Sequence, residues 1–183
     1  MVETSPGYTF TPMREEDFAL ARRWLLEPHV RRWWNDDPTE HDYPEGTLRE
    51  WRLAIRGEDP TDMFVIGLAG RPIGALQAYR VQDYPEYVEE IGEVDEPAIS
   101  IDILIGEADL IGKGHGPALI REFLAAAFER YGVSYCVIGP ARANVAAIRA
   151  YEKAGFRYLR DYREPDTIDP EHVLLDLRRA EPV

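Results

Sequence analysis

Cysteine is almost missing from this chain: Cys136 stands alone among 183 residues, so no disulfide can form within it. It sits in the apolar run Tyr135-Cys136-Val137-Ile138, where a buried structural thiol is expected. No apolar run approaches the roughly 18 residues a spanning helix needs. The opening residues Met1-Val2-Glu3-Thr4-Ser5 carry neither a basic region nor an apolar signal core, so a cytoplasmic location away from membranes is the expectation. Positive charge is in deficit. Lys and Arg number 21 against 34 Asp and Glu, a formal net charge of −13. Such a surface repels nucleic acid and anionic lipid and attracts a polycationic partner, although many acidic proteins are acidic only to stay in solution. His29, His41, His115 and His172 have no ligand-like spacing, and no metal site is expected. Repeats and low-complexity segments are missing too. With 45% hydrophobic residues interleaved with charge, residues 1–183 read as one globular domain.

The most informative stretch runs from residue 99 to 130. Ile99, Ile101, Ile103 and Ile105 alternate with Ser100, Asp102 and Leu104, which predicts a strand with Asp102 on the face opposite the isoleucines. The turn Ile111-Gly112-Lys113-Gly114-His115-Gly116 follows, and Pro117 then opens a helix whose apolar positions (Ile120, Phe123, Leu124, Ala127, Phe128, Tyr131) recur at helical spacing. Glycines before a helix let backbone N–H groups converge where the helix dipole is positive, a setting for a phosphate or pyrophosphate. A nucleotide P-loop is excluded, because five residues rather than four separate Gly106 from the Gly112-Lys113 pair and Gly114 rather than Ser or Thr follows Lys113. A dinucleotide fingerprint needs glycine where Pro117 stands.

The turn Gly112-Lys113-Gly114-His115-Gly116 resembles the acyl-coenzyme A pyrophosphate loop of the GCN5-related N-acetyltransferases (GNAT), with Ile111 in place of the usual Arg or Gln. About thirty residues downstream, Asn144-Val145-Ala146-Ala147-Ile148-Arg149-Ala150-Tyr151-Glu152-Lys153-Ala154-Gly155-Phe156 is similar to a second segment of that family. Weaker similarity to its aminoglycoside 6′-N-acetyltransferase branch covers most of the chain. The resemblance implies an α/β (α+β) fold, with a mixed, mostly antiparallel twisted sheet of about six to seven strands flanked by helices. It implies acetyl-CoA as cosubstrate, held by Ile103, Leu104, Ile105, Ile111, Gly112, Lys113, Gly114, His115, Gly116, Pro117, Asn144, Ala147 and Tyr151. Tyr151 takes the family position beside the coenzyme sulfur, while Asn144 also suits a helix N-cap.

On the acceptor side the expectations are less local. A strand at 8–12 leads to a helix at about 15–26 that Pro28 ends. His29-Val30-Arg31-Arg32-Trp33-Trp34 follows as a short helix or turn, and Trp33 and Trp34 either plug the core or border the acceptor. Thr47-Leu48-Arg49-Glu50 reads as a capping box opening a helix to Gly57. Two strands at 63–69 and 72–79, joined at Gly70-Arg71, read as a hairpin. Gln77 and Tyr79 alternate toward a cleft, Tyr79 equally suiting the core. Between Val81 and Gly112 there are ten acidic residues and no Lys or Arg. The first seven, Glu89 and Glu90 among them, are expected in a loop that is either a solvated face or an acidic flap over a cationic acceptor. Strands at 134–138, 156–162 and 172–177 and a helix at 144–154 stopped by Gly155 complete the chain.

A backbone N–H near Leu104 is placed to polarise a thioester carbonyl, and Asp102 to orient an ammonium ion and help remove its proton, unless that carboxylate only bonds neighbouring backbone. The resemblance implies that Tyr151, otherwise a packing aromatic on an amphipathic helix, protonates the leaving thiolate. The aminoglycoside branch adds Asp166 as a further ammonium contact. The chain departs from it at Gly139, where an acidic residue is usual, and Arg142 brings positive charge nearby. The leading expectation is direct transfer of acetyl from acetyl-CoA to a primary amine, the 6′-amine, of an aminoglycoside, conferring resistance, by a monomer or homodimer. Two alternatives stand beside it: a GNAT enzyme acting on a siderophore lysine, polyamine or protein amine, and an idle domain that binds coenzyme A or the antibiotic.

Overall fold

Alternating apolar and polar residues make β4 (Ala98–Ile105) a central strand with two unlike faces. A computed structural model describes residues 7–35, 41–92, 94, 96–165 and 167–179. In chain order its strands are β1 (Tyr8–Pro12), β2 (Asp62–Leu68), β3 (Arg71–Arg80), β4, β5 (Tyr135–Ile138), β6 (Arg157–Arg163) and β7 (Glu171–Arg178). They form one seven-stranded sheet in the order β1-β2-β3-β4-β5-β7-β6. All neighbours are antiparallel except β4 and β5. That parallel pair is joined only at Ala98↔Tyr135 and Ile99↔Cys136, although both strands run on, so the sheet opens into a wedge beyond Ile99.

Helices occupy both faces. Ile99 and Ile101 are buried with α5 (His115–Tyr131), whose Leu119, Ile120, Phe123, Leu124, Ala127 and Phe128 belong to the same cluster. Phe123 meets Phe10 and Phe64 edge-on, with ring centroids 5.1 and 5.5 Å away. Burying each such large side chain stabilises the fold by about 1.5–3 kcal/mol. On the other face Leu104 packs with Ala21, Trp24 and Leu25 of α1 (Phe18–Leu26), Val30 of α2 (Pro28–Trp34), and Leu48 and Trp51 of α3 (Glu45–Ile55). A third cluster joins Ile91 of α4 (Pro85–Ile91) to Tyr135, Val137, Tyr162 and Leu174. The last helix, α6 (Val145–Ala154), starts at Asn144 and stops at Gly155, whose φ is 114°. Cys136 is buried, as its apolar run implied.

Several local expectations change. Helix α3 begins at Glu45, behind Pro44, and Thr47 is buried inside its first turn, so Thr47 caps nothing. The β2–β3 turn is centred on Ala69-Gly70, one residue earlier than expected, with positive φ at both (51° and 79°), as a tight hairpin turn requires. Helix α5 begins at His115, which puts Pro117 in its first turn rather than at its opening. The acidic stretch after Val81 is helical over Pro85–Ile91, with Tyr87, Val88 and Ile91 turned inward and the Ile91 carbonyl accepting from Arg160 Nε at 2.8 Å. A packed helix replaces the expected loop because those three residues supply one apolar face and Pro85 a ready first turn. Glu93 and Asp95 lie outside the described residues. Among the described residues, no helix is long and apolar enough to cross a membrane.

Candidate active site

The register of β3 and β4 decides which groups meet at the wedge. Gln77 pairs with Asp102 and Tyr79 with Ser100, so these four side chains share the face turned away from α5. Gln77 Nε2 donates to Asp102 Oδ2 at 2.8 Å, so this carboxylate bonds a side chain and is not confined to backbone partners. The Gly106 N–H bonds the Ile73 carbonyl at 2.8 Å, and a Cβ on Gly74 would lie 2.0 Å from the Leu104 carbonyl oxygen. The polar backbone of Leu104 is therefore directed at β3. By the alternation of an antiparallel ladder, the N–H groups of Ile101, Ile103 and Ile105 face the opposite edge, toward the wedge. The donor expected near Leu104 is thus that of Ile103, one residue earlier. The Ile105 carbonyl is occupied by His29 Nε2 at 2.9 Å.

A cleft of about 1360 Å³ opens on this face. Asp102, Ile103, Gln77 and Tyr79 line it from the sheet, Trp33 and Trp34 from α2, and Asn144, Ala147 and Tyr151 from α6 and its cap. Trp34 packs edge-on against Trp51 at 5.6 Å and against the cluster of α1 and α3, while Trp33 lies beneath the Arg32 guanidinium at 4.3 Å. Glu90 lines the cleft, whereas Glu89 of the same helix is exposed and does not. Asp166 lies outside the described residues. Seven carboxylates line the cleft against four arginines, Arg32, Arg49, Arg52 and Arg56. Asp42 is paired with Arg49 at 2.6 Å and Asp169 with Arg32 at 2.7 Å, and Glu50, Asp59, Glu90, Asp102 and Glu164 line it besides.

This negative environment acts on the tyrosines. Burial, then the Asp102 charge, raises the Tyr151 phenol far above its ordinary range and keeps it protonated. Tyr79 and Tyr87 are raised by the same two causes in the same order. Tyr84, which donates to Asp59 at 2.7 Å, is pushed up to about 12, chiefly by burial. The rings of Tyr84 and Tyr87 stand 5.0 and 6.1 Å from that of Tyr79, so α4 and the turn before it add an aromatic wall.

The glycine turn lies apart from the cleft lining. Gly112 and Gly114 have φ of 75° and 83°, with open space where a Cβ would stand, and Gly114 is the N-cap of α5. This conformation is open to glycine and strained for other residues. It leaves the first N–H groups of a 17-residue helix facing outward, the arrangement that holds anionic oxygens. Ile111, Lys113 and both glycines are exposed. His115 is not turned toward the loop: its Nδ1 lies 2.8 Å from the Tyr8 hydroxyl. Gly116, in the first turn of α5, approaches Ala150 midway along α6. Asn144 Oδ1 accepts from the Ala147 N–H at 3.1 Å, so the capping role is present.

Sequence reasoning gave no role to Tyr84, Tyr87, Tyr162, Glu164 or His172, all of which line the cleft. The spacing of Tyr87, Val88 and Ile91 behind Pro85 was a usable signal for α4. Gly139 has a structural cause: a Cβ there would lie 1.8 Å from the Tyr162 hydroxyl oxygen. Arg142 is ion-paired with Asp161 and does not line the cleft.

Comparison with known proteins fits this geometry. The Acetyltransferase (GNAT) domain model matches residues 13–163. The chain is 29% identical over 184 aligned residues to Aminoglycoside N(6′)-acetyltransferase type 1 of Klebsiella pneumoniae, covering 98% of this chain and 88% of that one. Among solved structures, AAC(6′)-Ib in complex with paromomycin and acetyl-CoA superposes with a TM-score of 0.80 at 27% identity, covering 94% of both chains. AAC(6′)-Ib with coenzyme A and kanamycin gives a TM-score of 0.79 at 28% identity, covering 94% of this chain and 95% of that one. The open, mostly antiparallel seven-stranded sheet of this chain matches the fold of AAC(6′)-Ib, and the chain belongs to the GNAT family of acetyltransferases.

Proposed function

We propose that this enzyme transfers acetyl from acetyl-CoA to a primary amine of a cationic aminoglycoside, at the 6′-amine, in a ternary complex, and so confers resistance. The observation that carries the reading is the meeting of Asp102, Ile103 and Tyr151 on a cleft whose remaining lining is rich in carboxylates. The name of the Klebsiella relative and the antibiotics bound by AAC(6′)-Ib support the choice of acceptor.

The residues present suit acetyl-CoA. The open turn at Gly112 and Gly114 offers backbone donors to the pyrophosphate, and the wedge beside Ile103 and Ala147 is open to an extended chain. When bound, the coenzyme supplies the acetyl group as a thioester. The Ile103 N–H is directed to where the carbonyl oxygen gains charge, a contribution on the order of a few kcal/mol. Asp102, steadied by Gln77, orients the acceptor ammonium and takes the proton whose loss frees the nitrogen lone pair to attack the carbonyl carbon, passing it to solvent. The nitrogen gives up a second proton as the tetrahedral centre collapses, which balances the one the sulfur gains. Tyr151, held protonated by burial, gives its proton to the sulfur as the carbon–sulfur bond breaks. No covalent acyl-enzyme is needed, since Cys136 is fully buried and its thiol is pushed up by burial, leaving no exposed thiolate.

Thiol release from acetyl-CoA with kanamycin, tobramycin, spermidine and a lysine peptide tests this. Turnover confined to aminoglycosides with a free 6′-amine, with acetylation mapped to that nitrogen by NMR, is the expected result. Turnover confined to spermidine or the peptide would refute the acceptor assignment.

A further inference from the structure

Gly112 and Gly114 have nothing within 4 Å of where a Cβ would stand, so packing at these positions does not place the glycine turn. Its position comes from the chain on either side. On the α5 side Gly116 rests against Ala150, and His115 is bonded to Tyr8. On the β4 side stands Glu107, which at 8% exposure is the one buried acidic residue among the described residues. Its Oε1 accepts from Trp24 Nε1 at 2.8 Å and from Arg23 Nη2 at 2.5 Å, and its Oε2 accepts from Arg71 Nη2. Helix α1 and strand β3 thus meet on one carboxylate.

The backbone on both sides of Glu107 is fixed as well. The Ile105 carbonyl accepts from His29 Nε2 at 2.9 Å, and a Cβ on Gly106 would lie 2.0 Å from the fully buried Trp24 ring. Beyond Glu107 the chain folds into a 3-10 turn at Ala108–Leu110, where the Leu110 N–H donates to the Glu107 carbonyl at 3.0 Å. Arg71 spans this turn: besides Glu107 it bonds both carboxylate oxygens of Asp109 at 3.2 Å. Arg71 chiefly, and Lys113 of the glycine turn to a smaller extent, hold Asp109 below its ordinary value, so the ion-pair group lies within electrostatic reach of the turn.

Burying an ionised carboxylate carries a desolvation penalty that its ion pairs often only just offset, so an apolar residue would serve stability as well. What the carboxylate adds is direction, because donors converging from α1 and β3 allow one placement of the backbone that bears it. Backbone N–H groups bind an anion well only when they are already in place. We propose that Glu107 is the positioning residue of the coenzyme turn: tied to Trp24, Arg23 and Arg71, it fixes where the N–H groups after Gly112 stand and so sets the affinity for the pyrophosphate without touching it. This rests on the pyrophosphate role proposed above for that turn.

The test compares wild type, Glu107→Gln, Arg71→Gln and Gly114→Ala by calorimetric Kd for coenzyme A, which needs no acceptor. Acetyl transfer from acetyl-CoA and from S-acetylpantetheine, a donor without the pyrophosphate, is measured beside it. In Glu107→Gln the Kd for coenzyme A and the KM for acetyl-CoA should rise roughly fivefold or more, the scale of weakened charge-assisted bonds. The kcat/KM for S-acetylpantetheine should stay within about twofold, since that donor makes no use of the turn. Arg71→Gln alters a half-exposed side chain and leaves Trp24 and Arg23 on Glu107, so it should show the same split between donors at smaller size. An equal loss with both donors, or a lowered denaturation midpoint with the coenzyme Kd unchanged, would overturn the proposal. If Gly114→Ala weakens coenzyme A and Glu107→Gln does not, the role of the turn stands and that of Glu107 falls. If neither variant weakens it, the role of the turn falls and the proposal with it.

Discussion

The α5 side of the sheet and the side facing α1, α3 and α4 differ in how their parts are gathered. Strand β4, the glycine turn and α5 are contiguous over 98–131, and their chemistry is carried by backbone: N–H groups at the helix end and at the open edge of β4. The opposite side draws Trp33, Gln77, Tyr87, Asp102, Glu164 and His172 from six separate elements or loops, and its chemistry is carried by side chains. Backbone geometry changes little when residues are exchanged, whereas a side-chain pocket changes with each one. On the function proposed above, the first kind of geometry holds the coenzyme and the second selects the acceptor.

Three variants sharpen that contrast. Phe123→Ala removes the ring between Phe10 and Phe64, under the shared sheet, and should cost about 3–5 kcal/mol in urea unfolding. A loss below 1 kcal/mol would show that the α5 core is not the common support of the two sides. Gly114→Ala forces a Cβ into the left-handed region at φ 83°, a strain of about 1–2 kcal/mol. Its KM for acetyl-CoA should rise several-fold while that for the acceptor stays level; a matched rise in both would break the division between the two sides. A pH-dependent effect is expected at Glu107, just past the end of β4. This carboxylate accepts from Trp24 Nε1 at 2.8 Å, from Arg23 at 2.5 Å and from Arg71, and these bonds, Trp24 first, lower it to about 2. A carboxyl lowered on folding stabilises above its unfolded pKa and loses that stabilisation as pH falls through the folded one. Glu107→Gln should therefore lower the denaturation midpoint at pH 7, and the gap to wild type should shrink between pH 4.5 and 2. A gap independent of pH would contradict this.

How much was legible follows the same division. The isoleucine alternation, the glycine turn, the Asn144 cap and the Gly155 stop depend on neighbours a few residues away, and each was readable. Thr47 misled because its capping pattern is local, while α3 starts behind Pro44 and buries Thr47 within its first turn. Helix α4 was hidden by its charge, although Tyr87, Val88 and Ile91 carried its apolar face. The Gly139, Tyr162, Glu164 and His172 cluster was beyond reach, since it depends on β6–β7 pairing and on a loop over thirty residues away in the chain.

The claim that the two sides serve one reaction is tested most directly at Asp102, where the acceptor side meets β4. On one preparation of Asp102→Asn, kcat/KM for kanamycin and the calorimetric Kd for acetyl-CoA should be measured against wild type. The account predicts a fall of roughly 10²-fold or more in kcat/KM, the scale of a lost proton-transfer group, with the coenzyme Kd unchanged within about twofold. Activity close to wild type, or loss of coenzyme binding in step with activity, would contradict it.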